Sequence, residues 1–335
     1  MAHECWVVCD GAKLTEGASP KETLILNAWG PDPNVNLQIR DIDRRLVANI
    51  PDRLRDLLYI ATYVYCADQG FARGGKTDPK DGRDYHRRFK FGIPVRDVDF
   101  WSSNGTLEIL KRTLRFLSDD DYEFQFQRVV NGPPIYQLFD FGVGGMSGFD
   151  AESVALFSGG VDSLGGAIHE ALLLQRKTVL VTHRSTPKND AKQRKLANLA
   201  SSISAPANSL LHVLVWANKS SAISADYTQR TRSFLYASMA AVIAHIFEIP
   251  GIHFYENGIT GMNLPICEQL YGARASRTAH PVALKFLSEL LSQVLEKPFF
   301  IVNPFLWKTK REIIDLIGDA GSGLLLKEAI GKHVS

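Results

Sequence analysis

Ser153-Val154-Ala155-Leu156-Phe157 runs directly into Ser158-Gly159-Gly160-Val161-Asp162-Ser163, and an amphipathic stretch follows. The order is strand, tight glycine turn, helix. Two consecutive glycines let the backbone approach a ligand closely and turn several N–H groups outward. The start of a helix adds partial positive charge, so an anion belongs there. Ser158 and Ser163 carry hydroxyls able to donate to phosphate oxygens. No Gly-Lys-Ser/Thr follows, which argues against a Walker-type nucleotide loop.

Outward from this loop, the second half alternates strand and helix. Strands are expected at 153–157, 178–182, 211–216, 251–255 and 299–302. Helices are expected at 163–175, 190–202, 232–247, 281–295 and 310–317, the last opened by the capping-box pair Thr309 and Glu312. That alternation predicts a parallel sheet with covering helices. Ligands bind such sheets at the carboxyl ends of the strands. Arg230-Thr231-Arg232-Ser233 opens a helix rich in small residues, and its arginines are within reach of a phosphate there.

The first half reads as α+β. Residues 5–10, 23–29 and 35–42 are β-prone. Pro51 suits the first position of a helix over 51–69, with Gly70 closing it. Residues 72–90 are rich in Gly, Arg, Lys and Asp and read as a mobile loop. A strand over 95–101, a helix over 107–117 and a strand pair at 122–130 and 135–141, joined at Asn131-Gly132-Pro133-Pro134, complete it. Gly142, Gly144, Gly145 and Gly148 precede a strand instead of following one, so they read as a linker and not as a dinucleotide fingerprint. Two units are therefore expected, 1–148 and 149–335.

Composition narrows the class. Hydrophobic residues are 45% and charged residues 22%, which excludes collagen-like and wholly disordered chains. No apolar run is long enough to span a bilayer, and the first residues lack a signal-peptide pattern. Four cysteines form no disulfide framework, so a reducing cytoplasm is expected. The net charge of +2 is too balanced for a protein built to coat nucleic acid. It divides unevenly. Residues 1–150 hold 19 Lys and Arg against 22 Asp and Glu, and residues 151–335 hold 19 against 14. The basic half is the one carrying the glycine loop.

The Ser158–Ser163 stretch resembles the SGGxDS signature of the PP-loop ATP pyrophosphatases, which cleave ATP between the α and β phosphates and transfer AMP to a substrate oxygen. Further landmarks are Glu256-Asn257-Gly258, Gly261-Met262-Asn263-Leu264-Pro265, Ser276-Arg277-Thr278-Ala279-His280-Pro281, Asn303-Pro304-Phe305 and Lys308-Thr309-Lys310. Together they are similar to the 7-cyano-7-deazaguanine synthase (QueC-like) family. They look most like its antiphage-defence branch, of the kind found in the Qat and type IV CBASS systems. The motif resemblance covers about residues 150–335. The N-terminal extension matches more loosely and is expected to meet a protein partner.

The resemblance implies a PP-loop (HUP-like) sheet and an ATP-dependent carbon–nitrogen ligase. Its expected steps are adenylation of 7-carboxy-7-deazaguanine, loss of pyrophosphate, and amide formation with an amine, which in the defence branch is the N-terminus of a partner protein from the same operon. ATP would be held by Phe157, Ser158, Gly159, Gly160, Val161, Asp162, Ser163, Val181, His183, Arg232 and Lys308. Catalysis would fall to Asp162, Ser158, Ser163, Arg232 and Lys310. Glu256, Asn257, Asn263, Ser276, Arg277 and Thr278 would hold the deazaguanine. Asp162 would orient the loop or help hold Mg²⁺. No general base stands out. Membrane and nucleic acid are not expected as partners; the one basic stretch, Arg73 to Lys90, is diluted by Asp78, Asp81 and Asp84.

Family members usually carry a C-terminal zinc-binding cysteine cluster. This chain has Cys5, Cys9, Cys66 and Cys267, none near its end. Either the sequence is truncated or this member lacks the metal module. Two other functions stay open. One is a free 7-cyano-7-deazaguanine synthase or another PP-loop amidation or thiolation enzyme. The other is a non-catalytic ATP-binding scaffold within a defence complex.

Overall fold

The structure, a computed structural model, describes residues 3–14, 23–40, 50–73, 86–130, 132, 139–140, 149–184, 187–203, 209–225, 229–263 and 277–321. Along the chain these form β1 (His3–Cys9), β2 (Thr23–Leu26), β3 (Val35–Arg40), α1 (Asp52–Gly70), β4 (Arg87–Val95), α2 (Val98–Ser102), α3 (Asn104–Ser118), β5 (Asp121–Arg128) and β6 (Phe139–Asp140). Next come β7 (Ser153–Leu156), α4 (Val161–Ile168), β8 (Thr178–Arg184), α5 (Pro187–Ile203), β9 (Leu210–Lys219) and α6 (Arg232–Ile246). The last are β10 (Gly251–His253), α7 (Gly258–Gly261), α8 (Pro281–Leu295), β11 (Phe300–Val302) and α9 (Lys310–Asp319). The glycine-rich stretch 142–148, most of the 72–90 loop, Ser276, Cys267 and the end of the chain lie outside the described residues.

The fold is α/β with two sheets. One orders β2-β1-β4-β5 and the other β11-β10-β7-β8-β9-β3-β6. In the larger sheet the five strands from β7 onward are parallel, and their order is that of a Rossmann-type sheet. Strand order reverses between β7 and β10, so the crevice above those two strands is the natural ligand position. Every residue of β7 is buried, as a central strand covered on both faces requires.

One face is covered by α4, α5 and α9 around Phe157, Leu164, Ala200, Phe305 and Ile313. The other is covered by α1, α6 and α8. Helix α6 is buried from Ser233 to Ala244, and its run of small residues lets it lie close against the strands.

The first half departs from its expected form in four ways, the first being that residues 87–90, expected in a mobile loop, begin strand β4. The sheet of that half is parallel throughout, with α1 on the path from β2 to β4 and with α2 and α3 crossing from β4 to β5. Strand β5 pairs with β4, while β6 pairs with β3 in the other sheet, so residues 122–130 and 135–141 do not form a hairpin. Residues 98–102 are helical because the Asp97 side chain accepts from the Phe100 N–H and caps them.

The larger sheet also crosses the boundary expected near residue 148. Strand β3 lies antiparallel to β9, from Val35 opposite Lys219 to Arg40 opposite Leu214. Helix α1 packs on α6, and a single apolar core runs from Cys5 to Ile301.

Candidate active site

The loop after β7 and the start of α4 form the floor of the crevice. Gly159 adopts φ +78°, a left-handed conformation that glycine takes without strain. A side chain there would also meet Gln193 Cγ at 3.0 Å. The two serines close the turn on itself. Ser163 Oγ donates to the Gly160 carbonyl at 3.0 Å and lies 3.2 Å from Ser158 Oγ. The Ser158 and Gly160 N–H groups donate back to these hydroxyls, at 3.2 and 3.3 Å. No side chain caps the first turn of α4, so its leading N–H groups are available to an anion.

Asp162 is the hub of the site. It is 5% exposed, yet it ties its own loop to two segments distant in sequence. Oδ1 accepts from Lys310 Nζ at 2.8 Å, and Oδ2 accepts from Asn257 Nδ2 at 2.9 Å. Glu256 lies against the same carboxylate. Burial and then the neighbouring Asp162 push the Glu256 carboxyl up to about 8, so at neutral pH it holds the proton and donates to Asp162. Burial raises Asp162 as well, but Glu256, Lys310 and Asn257 outweigh it and hold that carboxyl below its ordinary value. The site therefore carries one carboxylate, one shared proton and one ammonium.

Local sequence explains how these groups arrive. Thr309 and Glu312 form the expected capping box, which starts α9 with Lys310 at its first turn. Asn303 grips both sides of Glu256: its Oδ1 accepts from the Glu256 N–H at 3.3 Å, and its Nδ2 donates to the Glu256 carbonyl at 2.8 Å. The Gly258 N–H donates to the Lys308 carbonyl at 2.9 Å and ties the two loops together.

Gln193 is a site residue that sequence reasoning missed. It donates from α5 to the Ser158 carbonyl at 3.0 Å. Nothing local in the sequence marks it.

Other expected residues lie outside the Asp162 network. The Val181 carbonyl accepts from the Phe157 N–H at 2.8 Å, so it belongs to the sheet ladder. His183 is 2% exposed, with Nε2 on the Ala217 carbonyl at 2.6 Å and its ring edge-on between Tyr65 and Tyr236. Burial pulls it down to about 4, so the ring is neutral. Arg232 lies at the carboxyl end of the sheet. Its Nε donates to the Tyr236 hydroxyl at 2.8 Å, and its guanidinium carbon is 4.8 Å from that ring. Among the described residues no carboxylate pairs with it.

Two expected substrate ligands have structural partners. Arg277 Nη1 donates to the Phe116 carbonyl at 2.6 Å and to Asp119 at 2.7 Å, which draws it toward the end of α3. Asn263 sits at φ +53°, closing the turn after α7, a conformation asparagine tolerates. Thr278 lies in the turn before α8.

Among the described residues, Mg²⁺ finds no prepared cradle at Asp162. Both Asp162 oxygens are engaged, one by Lys310 and the other by Asn257. Among the described residues no three His, Cys, Asp or Glu side chains converge on a metal position. Among those residues, too, no helix is long and apolar enough to cross a membrane. No protein-family model matches the chain, and no curated protein matches it.

Proposed function

We propose that this crevice binds ATP and adenylates a carboxylate, most simply 7-carboxy-7-deazaguanine, and that the acyl-adenylate is then captured by an amine, the N-terminus of a partner protein. The observation that carries this reading is the uncapped start of α4 behind Gly159 and Gly160, placed where the sheet order reverses and flanked by Asp162 and Lys310.

In this mechanism pyrophosphate lies on the N–H groups of the 158–163 loop. Binding draws the Ser158 and Ser163 hydroxyls from each other to phosphate oxygens. Lys310 moves from Asp162 toward the leaving pyrophosphate, and the charge it brings grows in value as water leaves the crevice. Asp162 and Asn257 hold the loops after β7 and β10 in register. The substrate carboxylate attacks the α-phosphate, pyrophosphate departs, and the amine nitrogen then displaces AMP from the acyl carbon. Most of the acceleration comes from positioning and charge stabilisation.

The test couples two assays. ATP–pyrophosphate exchange dependent on the carboxylated deazaguanine reads the first step. Intact mass spectrometry of the neighbouring-gene protein, co-expressed with this chain or with Asp162→Ala, reads the second. Exchange with a mass increase lost in the variant supports the proposal. Exchange with free 7-cyano-7-deazaguanine and an unmodified partner favours the free synthase. No exchange despite ATP binding favours a scaffold.

A further inference from the structure

Helix α1 ends beneath the carboxyl edge of the larger sheet, and its last turns touch three segments there. The Tyr65 ring meets His183 edge-on at 5.3 Å. The Gln69 carbonyl accepts from the Ala225 N–H at 2.8 Å. Asp68 Oδ2 accepts from both the N–H and the hydroxyl of Thr231, at 3.1 and 3.2 Å. Thr231 is the residue before Arg232, and its own side chain does not cap α6. The cap for that helix comes from the other half of the chain.

Asp68 is itself held rigidly. Its Oδ1 accepts from Arg87 at 2.5 Å and from Arg73 at 3.2 Å. Both arginines also pair with Asp120, at 2.8 and 2.6 Å. The four side chains are nearly or wholly buried, and their charges balance. A neutral, hydrogen-bonded cluster of this kind fixes geometry more than it adds stability.

From these contacts we infer that Asp68 is a positioning residue for the proposed phosphate site, setting Arg232 through Thr231. The first half of the chain thereby builds one wall of that site, besides any partner it meets. This inference rests on the ATP reading above and extends it to Arg232, which opens α6 at the carboxyl end of the sheet, as a contact for phosphate.

The test uses Thr231→Val, which removes the hydroxyl and leaves the ion cluster whole, and Thr231→Ser as the conservative control. Inorganic pyrophosphate affinity by calorimetry and the KM for ATP in the exchange assay are measured on the full chain. Thr231→Val should weaken pyrophosphate binding and raise that KM about tenfold, the scale of one lost charge-assisted hydrogen bond. Thr231→Ser should restore both. In an Arg232→Ala background, Thr231→Val should add no further loss, because the residue it positions is gone. An unchanged KM in Thr231→Val, or a loss that persists in full without Arg232, overturns the inference alone. Failure of the unaltered chain to bind ATP or pyrophosphate sinks the ATP reading, and this inference with it.

Discussion

Asp162 and Lys310 meet at 2.8 Å across the crevice, one at the first turn of α4 and the other at the first turn of α9. The contact closes a ring of loops on the floor where phosphate is proposed to sit. Lys310 is half-exposed while Asp162 is 6% exposed at its side chain, so the lysine is the partner free to leave. Asp162→Ala should lower pyrophosphate exchange at least a hundredfold, since it removes the acceptor for three neighbours at once. Lys310→Ala should cost about tenfold to a hundredfold, one charge-assisted contact in the transition state. Melting temperature checks that both variants remain folded.

The Glu256 proton gives the site a pH signature. Its carboxyl titrates at about 8 in the folded chain against 4.5 ordinarily. Between those values the unfolded chain has released the proton and the folded chain still holds it. Stability from this group is therefore full below about 4.5 and is lost as pH rises toward 8, by up to about 1.4 kcal/mol per pH unit. Asp162 works the other way, but only below 3.8, outside that window. His183, pulled down to about 4, also works the other way below its ordinary 6.5, so urea unfolding across pH 6.5 to 8 should show the decline in the parent chain, and Glu256→Gln should flatten it.

The sequence made the strand–turn–helix around Gly159 legible because its signals are local: an apolar run, two glycines, an amphipathic repeat. Helix α8 was equally readable, with Pro281 at its first turn and a clean apolar stripe. What stayed hidden was long-range. Residues 87–90 look like the end of a solvated loop, yet Arg87 is wholly buried because Asp68 and Asp120 await it. A charged residue reads as exposed until its partners are known. Strand β3 was visible as a strand, but nothing in its alternation says that it joins β9 in the second half. Within the site, Asp162 stood in a motif, while Gln193 and the grip of Asn303 on Glu256 came only from the folding of helices and loops around it.

The buried ion cluster and the surface pairs should separate sharply on mutation. Asp120→Ala leaves Arg87 and Arg73 without one of their two carboxylates in a water-free interior, and should cost about 3–5 kcal/mol. Arg53 pairs with Glu296 at 2.5 Å, but Glu296 is 73% exposed. Glu296→Gln should change stability by less than about 1 kcal/mol. Denaturant midpoints of the two variants decide this; similar losses in both would show that the cluster is not dry.

Gly166 provides the strictest check on how the strand before Glu256 is seated. A Cβ there would lie 2.2 Å from Tyr255 Cγ, far inside contact distance. The ring cannot swing away, because it is 5% exposed, packs on Phe305 at 4.7 Å and donates its hydroxyl to buried Glu170. Helix propensity alone makes Gly166→Ala stabilising by about 1 kcal/mol. Overpacking opposes it with about 1–3 kcal/mol, and more where neighbours are fixed. Steric cost should win, giving a net loss of about 2 kcal/mol or more in urea unfolding. Pyrophosphate exchange should fall too, because displacing Tyr255 moves Glu256 and Asn257 off Asp162. The double variant Gly166→Ala/Tyr255→Leu should recover part of the stability by relieving the clash. A Gly166→Ala protein more stable than its parent would mean that helix α4 and Tyr255 are not in contact.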